Sequence, residues 1–213
     1  MPKILIIGAS QGIGLEALKQ ALASGYEVRA MARSANKISI EHPSLEKVVG
    51  NALDRDHVEA ALDGIDVVVQ ALGVPADLQA LFGPVQLFSE STRILVPAMA
   101  RAGVGRLICV TGFGAGDSRE RLGSVPSIPF RIFLGRVYDD KDIQEQIVRG
   151  SGLHWTIVRP VLLTNGVRTG RYQVLEDPKR WRGGFISRAD VADFLIKSAQ
   201  TNAYLWKTPV LAY

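Results

Sequence analysis

The chain has 213 residues, 47% of them hydrophobic and 22% charged, with a formal net charge of +4. Such a composition is that of a globular domain with an ample core, and the net charge is modest enough that its distribution matters more than its sum. Its apolar stretches are strand-sized, too short to span a membrane, and the single cysteine, Cys109, excludes an internal disulfide.

Met1-Pro2-Lys3 leads straight into the first apolar run, so no signal or transit peptide is expected. With one cysteine, placed in the apolar run Leu107-Ile108-Cys109-Val110 as an inert buried thiol, the expected location is cytoplasmic. Lys3 to Ile7 reads as a buried strand that opens directly onto Gly8-Ala9-Ser10-Gln11-Gly12-Ile13-Gly14. Leu15 to Ala23 then has helical spacing and stops at Ser24-Gly25. Strand, glycine turn and helix in this order are how a Rossmann-type fold holds a dinucleotide diphosphate. Gly8 permits the turn, Gly12 lets backbone approach the phosphates, and Gly14 lets the helix pack on the sheet. The free N–H groups at the helix start, with their positive dipole end, face the anion. Gly8, Ser10, Gln11, Gly12 and Ile13 are therefore expected cofactor contacts, and the G-x-x-x-G-x-G spacing points to the short-chain dehydrogenase/reductase superfamily.

Tyr26 to Ala32 is the second predicted strand. An acid beyond it would bond a ribose 2′-hydroxyl, but the chain carries Arg33-Ser34 instead, a pair suited to a 2′-phosphate. This exchange predicts NADP(H) over NAD(H). A short third strand over Lys47 to Val49 ends near Asn51-Ala52, expected to flank the adenine. Asp54 caps a helix through Leu62, and Ile65 to Gln70 is apolar enough for a strand covered on both faces. Ala71-Leu72-Gly73 follows, small enough to admit ribose and diphosphate. Ser89 to Ala102 is a helix closed by Gly103, and Arg106 to Thr111 is the next strand, with Gly112 and Phe113 beyond it at the nicotinamide end.

Arg136 to Arg149 reads as a further helix. On it, Lys141 and Glu145 form an i,i+4 pair with Tyr138 one turn earlier. Charge pattern alone makes the pair a solvent-facing ion pair; the functional alternative puts Lys141 beside the cofactor ribose. His154 to Val158 is the sixth strand, which Arg159-Pro160 is expected to interrupt. Ser187-Arg-Ala-Asp190 is a capping box for a helix to about Ala199. Lys179-Arg180-Trp181-Arg182 resembles a nucleic-acid patch, but no recognition motif accompanies it, and a solvated loop is the expected reading. A basic rim for an anionic cofactor is the alternative. The expectation is thus an α/β fold: a Rossmann-type doubly wound parallel sheet forming one domain over 1–213. A small C-terminal substrate-side lobe, about 160–213, is built on the same sheet.

Four stretches, Gly8 to Gly14, Lys141 with Glu145, Ser151-Gly-Leu-His-Trp-Thr-Ile-Val-Arg-Pro160, and Ile186-Ser-Arg-Ala-Asp-Val-Ala192, resemble the atypical short-chain reductases. That group contains the NmrA-like proteins and biliverdin reductase B/flavin reductase. The resemblance implies NADP(H), hydride transfer, and Pro160, Val161 and Leu162 near the nicotinamide. The chain departs from the main short-chain reductases at the proton donor. Tyr138 and Lys141 are one residue closer than a Tyr-x-x-x-Lys pair, and Gly112 stands at the serine position with Thr111 the nearest hydroxyl. Leu162 stands where the flavin-reductase relatives carry a polar residue.

The leading reading is an NADPH-dependent oxidoreductase passing hydride to a small planar acceptor of flavin or quinone type, over Thr111, Phe113 and Leu162. Thr111, Tyr138 and Lys141 are its candidate catalytic residues. Two alternatives remain: an NADP(H)-binding redox sensor without turnover, and an epimerase-like reductase. No metal ligand set, nucleic-acid partner or membrane partner is expected, and the oligomeric expectation is a monomer or weak dimer.

Overall fold

The computed structural model describes residues 2–74, 85–121, 128–201 and 203–213. Six strands run parallel: β1 (Lys3–Ile7), β2 (Glu27–Ala32), β3 (Leu45–Val49), β4 (Val67–Gln70), β5 (Arg106–Val110) and β6 (His154–Pro160). Two short C-terminal strands, β8 (Gln173–Leu175) and β10 (Val210–Ala212), extend the sheet, giving the order β3-β2-β1-β4-β5-β6-β10-β8 with only β8 antiparallel. β7 (Leu162–Thr164) and β9 (Phe185–Ser187) form a separate two-stranded parallel ribbon. The doubly wound α/β fold read from the sequence is thus the observed one.

Five α-helices are described: α1 (Gly12–Ala23), α2 (Arg55–Ala61), α3 (Leu87–Ala102), α4 (Ile128–Arg149) and α5 (Arg188–Gln200). The unbroken apolar strands follow from burial on both faces. Ile4 and Ile6 of β1 join the core beneath α1 and α5, whereas Leu5 and Ile7 join the core beneath α2, α3 and α4. In β5, Ile108 and Val110 divide from Leu107 and Cys109 in the same way. Each such side chain contributes roughly 1.5–3 kcal/mol by leaving water. Cys109 is fully buried, and burial pushes its thiol pKa up.

Helix ends follow their capping residues. Asp54 accepts from the His57 N–H at 3.1 Å, and Gly103 closes α3 in the left-handed region at φ 71°. α3 starts at Leu87, two residues before its sequence-predicted start, because the buried Asp140 carboxylate of α4 accepts from the Phe88 N–H at 2.8 Å. At α5 the Ser187 hydroxyl accepts from Asp190 N–H, but the reciprocal half of the capping box passes through another residue. Ser187 N–H donates to the Tyr213 hydroxyl, which donates to Asp190 at 2.7 Å.

Arg159-Pro160 does not interrupt β6, contrary to the sequence expectation. Ile157, Arg159 and Val161 donate their N–H groups to Lys207, Pro209 and Leu211 on the β10 side. The missing N–H of Pro160 falls on the opposite side, past Val110 where β5 has ended, so no ladder bond is lost.

Candidate functional site

The strand order reverses at β1, where β1 pairs with β2 on one side and β4 on the other. Above this switch point a cleft of about 1440 Å³ runs over the carboxyl ends of the strands. Every residue proposed from the sequence lines it. From β1 and α1 these are Gly8, Ser10, Gln11, Gly12 and Ile13; from β2, Arg33 and Ser34; from β3, Asn51 and Ala52; from β4, Ala71, Leu72 and Gly73. Thr111, Phe113, Tyr138, Lys141, Pro160, Val161 and Leu162 complete the opposite end.

The glycine turn is built to hold backbone close. Gly8 lies at φ 92°, and a Cβ there would stand 2.6 Å from the Ala71 carbonyl oxygen. A Cβ on Gly14 would stand 2.1 Å from the Gly8 carbonyl oxygen, so only glycine lets α1 approach the turn. By contrast, Gly12 at φ 59° faces open space, where a Cβ would meet nothing nearer than Arg188 at 3.8 Å. No side chain caps the first turn of α1 and no acid stands in it, which leaves its N–H groups and positive dipole end for an anion.

At the β2 end, Arg33 is exposed and has no ion-pair partner among the described residues. Beside it the Ser34 hydroxyl donates to the Ser10 hydroxyl at 3.0 Å, which ties this corner to the glycine turn. One arginine and two hydroxyl residues therefore line this corner of the cleft, and no carboxylate is among the lining residues.

At the β5–β6 end the hydroxyls are already engaged. Thr111 donates its hydroxyl to Glu145 Oε1 at 2.8 Å, and Tyr138 donates its own to the Phe113 carbonyl at 2.8 Å. Burial pushes the Tyr138 pKa up. Lys141 donates Nζ to the Thr111 carbonyl and holds Nζ 4.5 Å from the Phe88 ring centre. Burial of this ammonium pulls its pKa down to about 8, against the opposing pull of Cys109, Glu145 and Asp140. An ammonium has three N–H donors, so Lys141 keeps two for a ligand in the cleft.

The solvent-facing Lys141–Glu145 ion pair expected from charge pattern does not form. Lys141 faces the cleft, and Glu145, only 2% exposed, turns inward to Arg159, which has no exposure at all. Arg159 Nε donates to Glu145 Oε1 at 2.9 Å and Nη2 to Oε2 at 2.6 Å. The exposed Asp117 lies 2.5 Å from Arg159 Nη1, and the Trp181 ring lies beneath the guanidinium at 5.3 Å. Gly116 leaves room for this pair: a Cβ there would sit 2.4 Å from Arg159 Nη2.

Across the cleft the β7–β9 ribbon forms the outer wall. Leu162, which lines the cleft, has Phe185 as its register partner, and the two are 65% and 59% exposed, an apolar ledge on the ribbon. The Lys179–Arg182 stretch begins in a 3-10 turn over Pro178–Arg180, capped by Asp177, and its three basic residues are exposed, as in a solvated loop. Its Trp181 is buried and donates Nε1 to the Leu175 carbonyl at 3.0 Å.

Among the cleft residues that sequence reasoning missed are Phe88, Val137, the Gly183-Gly184 lip and Arg188. Arg188 lay in a motif read only as a helix start, and no local pattern links it to a turn 176 residues earlier. Among the described residues no group of three or more His, Cys, Asp or Glu side chains is placed to hold a metal, and no helix is long and apolar enough to cross a membrane.

A family model described as NAD(P)H-binding matches residues 8–202. The chain is 30% identical to the uncharacterised protein YwnB of Bacillus subtilis (strain 168), over 82% of this chain and 80% of that one. It is also 30% identical to the uncharacterised sugar epimerase YhfK of the same organism, over 92% and 87%. Among solved structures it resembles the anaerobillin reductase ChuY of Escherichia coli O157:H7, with a TM-score of 0.80, 26% identity, and coverage of 100% of this chain and 97% of that one.

Proposed function

Since the chain belongs to the NAD(P)H-binding family of Rossmann-fold oxidoreductases, we propose that it is an NADPH-dependent reductase passing hydride to a small planar acceptor of flavin or quinone type. One observation carries the acceptor class. Both hydroxyls at the reacting end, on Thr111 and Tyr138, already donate to protein acceptors. A carbonyl acceptor needs a positioned acid for its developing alkoxide, whereas a reduced flavin or quinone takes its proton from water.

A bound nicotinamide supplies the hydride. Gly8, Ser10, Gln11, Gly12 and Ile13 hold its diphosphate, and Arg33 with Ser34 holds the 2′-phosphate and sets NADP(H) above NAD(H). Asn51 and Ala52 flank the adenine, while Ala71, Leu72 and Gly73 admit the ribose and diphosphate. The two free Lys141 donors hold the nicotinamide ribose. Pro160, Val161 and Phe113 wall the ring and exclude water, and Leu162 with Phe185 offers an apolar ledge to the acceptor. Catalysis on these terms is mostly orientation of two flat rings. The buried Cys109 thiol fits a reducing cytoplasm.

Steady-state NADPH oxidation against flavins, quinones and aldehydes tests the proposal. Turnover should appear with flavins or quinones and be weak with aldehydes; aldehyde reduction as the dominant activity would overturn it. The same engaged hydroxyls also favour a second reading, a redox sensor that binds NADP(H) without turnover. Tight NADPH binding with no oxidation by any acceptor would select that reading. An epimerase that uses the cofactor catalytically needs a free base at the sugar hydroxyl whose carbon gives up hydride, and the engaged Thr111 and Tyr138 weigh against it.

A further inference from the structure

The glycine turn carries no cationic side chain of its own, since Gly8-Ala-Ser-Gln-Gly-Ile-Gly14 is neutral throughout. A helix dipole offers only about half an elementary charge at its start. A dinucleotide diphosphate carries two negative charges, so the turn alone leaves most of that charge unmatched.

Arg188 stands where the balance would come from. It is the first residue of α5, and three contacts fix its place. The Ser187 hydroxyl caps the helix through Asp190 N–H at 3.0 Å. Gln20 of α1 donates Nε2 to the Ala189 carbonyl at 2.8 Å, locking α5 against the helix that begins at the glycine turn. Arg188 Nη1 donates to Asn165 Oδ1 at 2.7 Å, which orients the guanidinium. Its Nε and Cδ lie 3.8 and 3.9 Å from where a Gly12 Cβ would be, so the side chain spans the open face of the turn. The residue is half-buried, lines the cleft, and has no carboxylate partner among the described residues. A half-buried arginine held by one neutral amide oxygen has most of its five N–H donors available to an anion.

We propose that Arg188 clamps the diphosphate of the bound dinucleotide from the C-terminal side, opposite the N–H groups of α1. This rests on the reading that the cleft holds NADP(H). Arg188 thereby has a task distinct from that of Arg33: it grips what NADPH and NADH share, whereas Arg33 reads what separates them. Asn165 follows directly on β7, the strand that carries Leu162, so the bond from Arg188 also ties the cofactor grip to the acceptor wall.

The test is a binding titration, read by calorimetry, of NADPH, NADH and adenosine 2′-monophosphate into the wild-type protein and the variants Arg188→Ala, Arg188→Lys and Arg33→Ala. Arg188→Ala should weaken NADPH and NADH by the same factor, about ten- to hundredfold for a lost charged hydrogen bond. It should leave the monophosphate, which has no diphosphate, unchanged. Arg188→Lys should restore part of the loss, because a point charge replaces a fork. Arg33→Ala should instead weaken NADPH and the monophosphate while sparing NADH. Arg188→Ala binding both dinucleotides within twofold of wild type, with an unaltered melting temperature, overturns the clamp and leaves the cleft assignment standing. Wild-type protein that binds neither dinucleotide overturns the cleft assignment and the clamp with it.

Discussion

Thr111 and Arg159 meet on one oxygen: Glu145 Oε1 accepts the threonine hydroxyl at 2.8 Å and the arginine Nε at 2.9 Å. The residue nearest the serine position of the main short-chain reductases is thus tied into a buried ion pair under the sheet ends. Its backbone carbonyl, which accepts from Lys141, is the part that serves the cleft.

Removing Glu145 should therefore act on stability. Glu145→Ala strands a guanidinium with no solvent exposure, leaving the exposed Asp117 as its one counter-charge among the described residues, and should cost about 3–5 kcal/mol in urea unfolding. The double variant Glu145→Gln, Arg159→Met should recover part of this. A single variant as stable as wild type would show that the pair carries no structural weight.

Arg33→Ala should weaken NADPH by roughly 1.5–3 kcal/mol, the order of a charged hydrogen bond, and leave NADH within twofold. Fluorescence titration with both cofactors measures it. Equal losses for the two would sink the 2′-phosphate assignment.

The glycines should separate by what they face. Gly14→Ala meets backbone at 2.1 Å and should yield little folded protein. Gly12→Ala meets open cleft and should fold, at a cost of about 1–2 kcal/mol for its positive φ, while losing dinucleotide binding. Circular dichroism and calorimetry on the pair check this.

Lys141 should impose a pH dependence. With a pKa of about 8 its ammonium is charged below that value and neutral above it, so cofactor affinity should fall as pH rises through about 8. Lys141→Met should bind more weakly and lack this step. Between about 8 and the ordinary 10.5 the unfolded chain holds a proton that the folded chain has released. Over that window rising pH should shift the stability difference towards wild type.

Tyr138→Phe removes a hydroxyl that donates to the Phe113 carbonyl. It should cost about 1 kcal/mol of stability and change turnover no more than a few-fold. A hundredfold loss of turnover, with the protein still folded, would make Tyr138 the proton donor.

Much of this fold and cleft is legible in the sequence. The glycine turn, its strand and its helix are neighbours in sequence, and strand ends in a parallel sheet lie on one edge, so residues after each strand gather without further information. What escaped depends on contacts between distant segments. Glu145 looked like half of a surface pair because its partner, Arg159, lies on a strand 14 residues away. Pro160 looked like a strand break because the direction of its missing N–H is set by which neighbour continues past it. Arg188 looked like a helix start because its approach to Gly12 needs α5 to pack on α1.

The β7–β9 ribbon forms no ladder with the eight-stranded sheet, and its own ladder pairs just three residues with three. The ribbon is thus joined to the body by single hydrogen bonds, such as that from Tyr213 N–H to the Phe185 carbonyl, and not by a shared ladder. Selection, or an engineer, can redraw the Leu162 and Phe185 side chains without disturbing a strand pairing of the eight-stranded sheet. On the proposed function, acceptor specificity is free to drift while the cofactor cradle stays fixed.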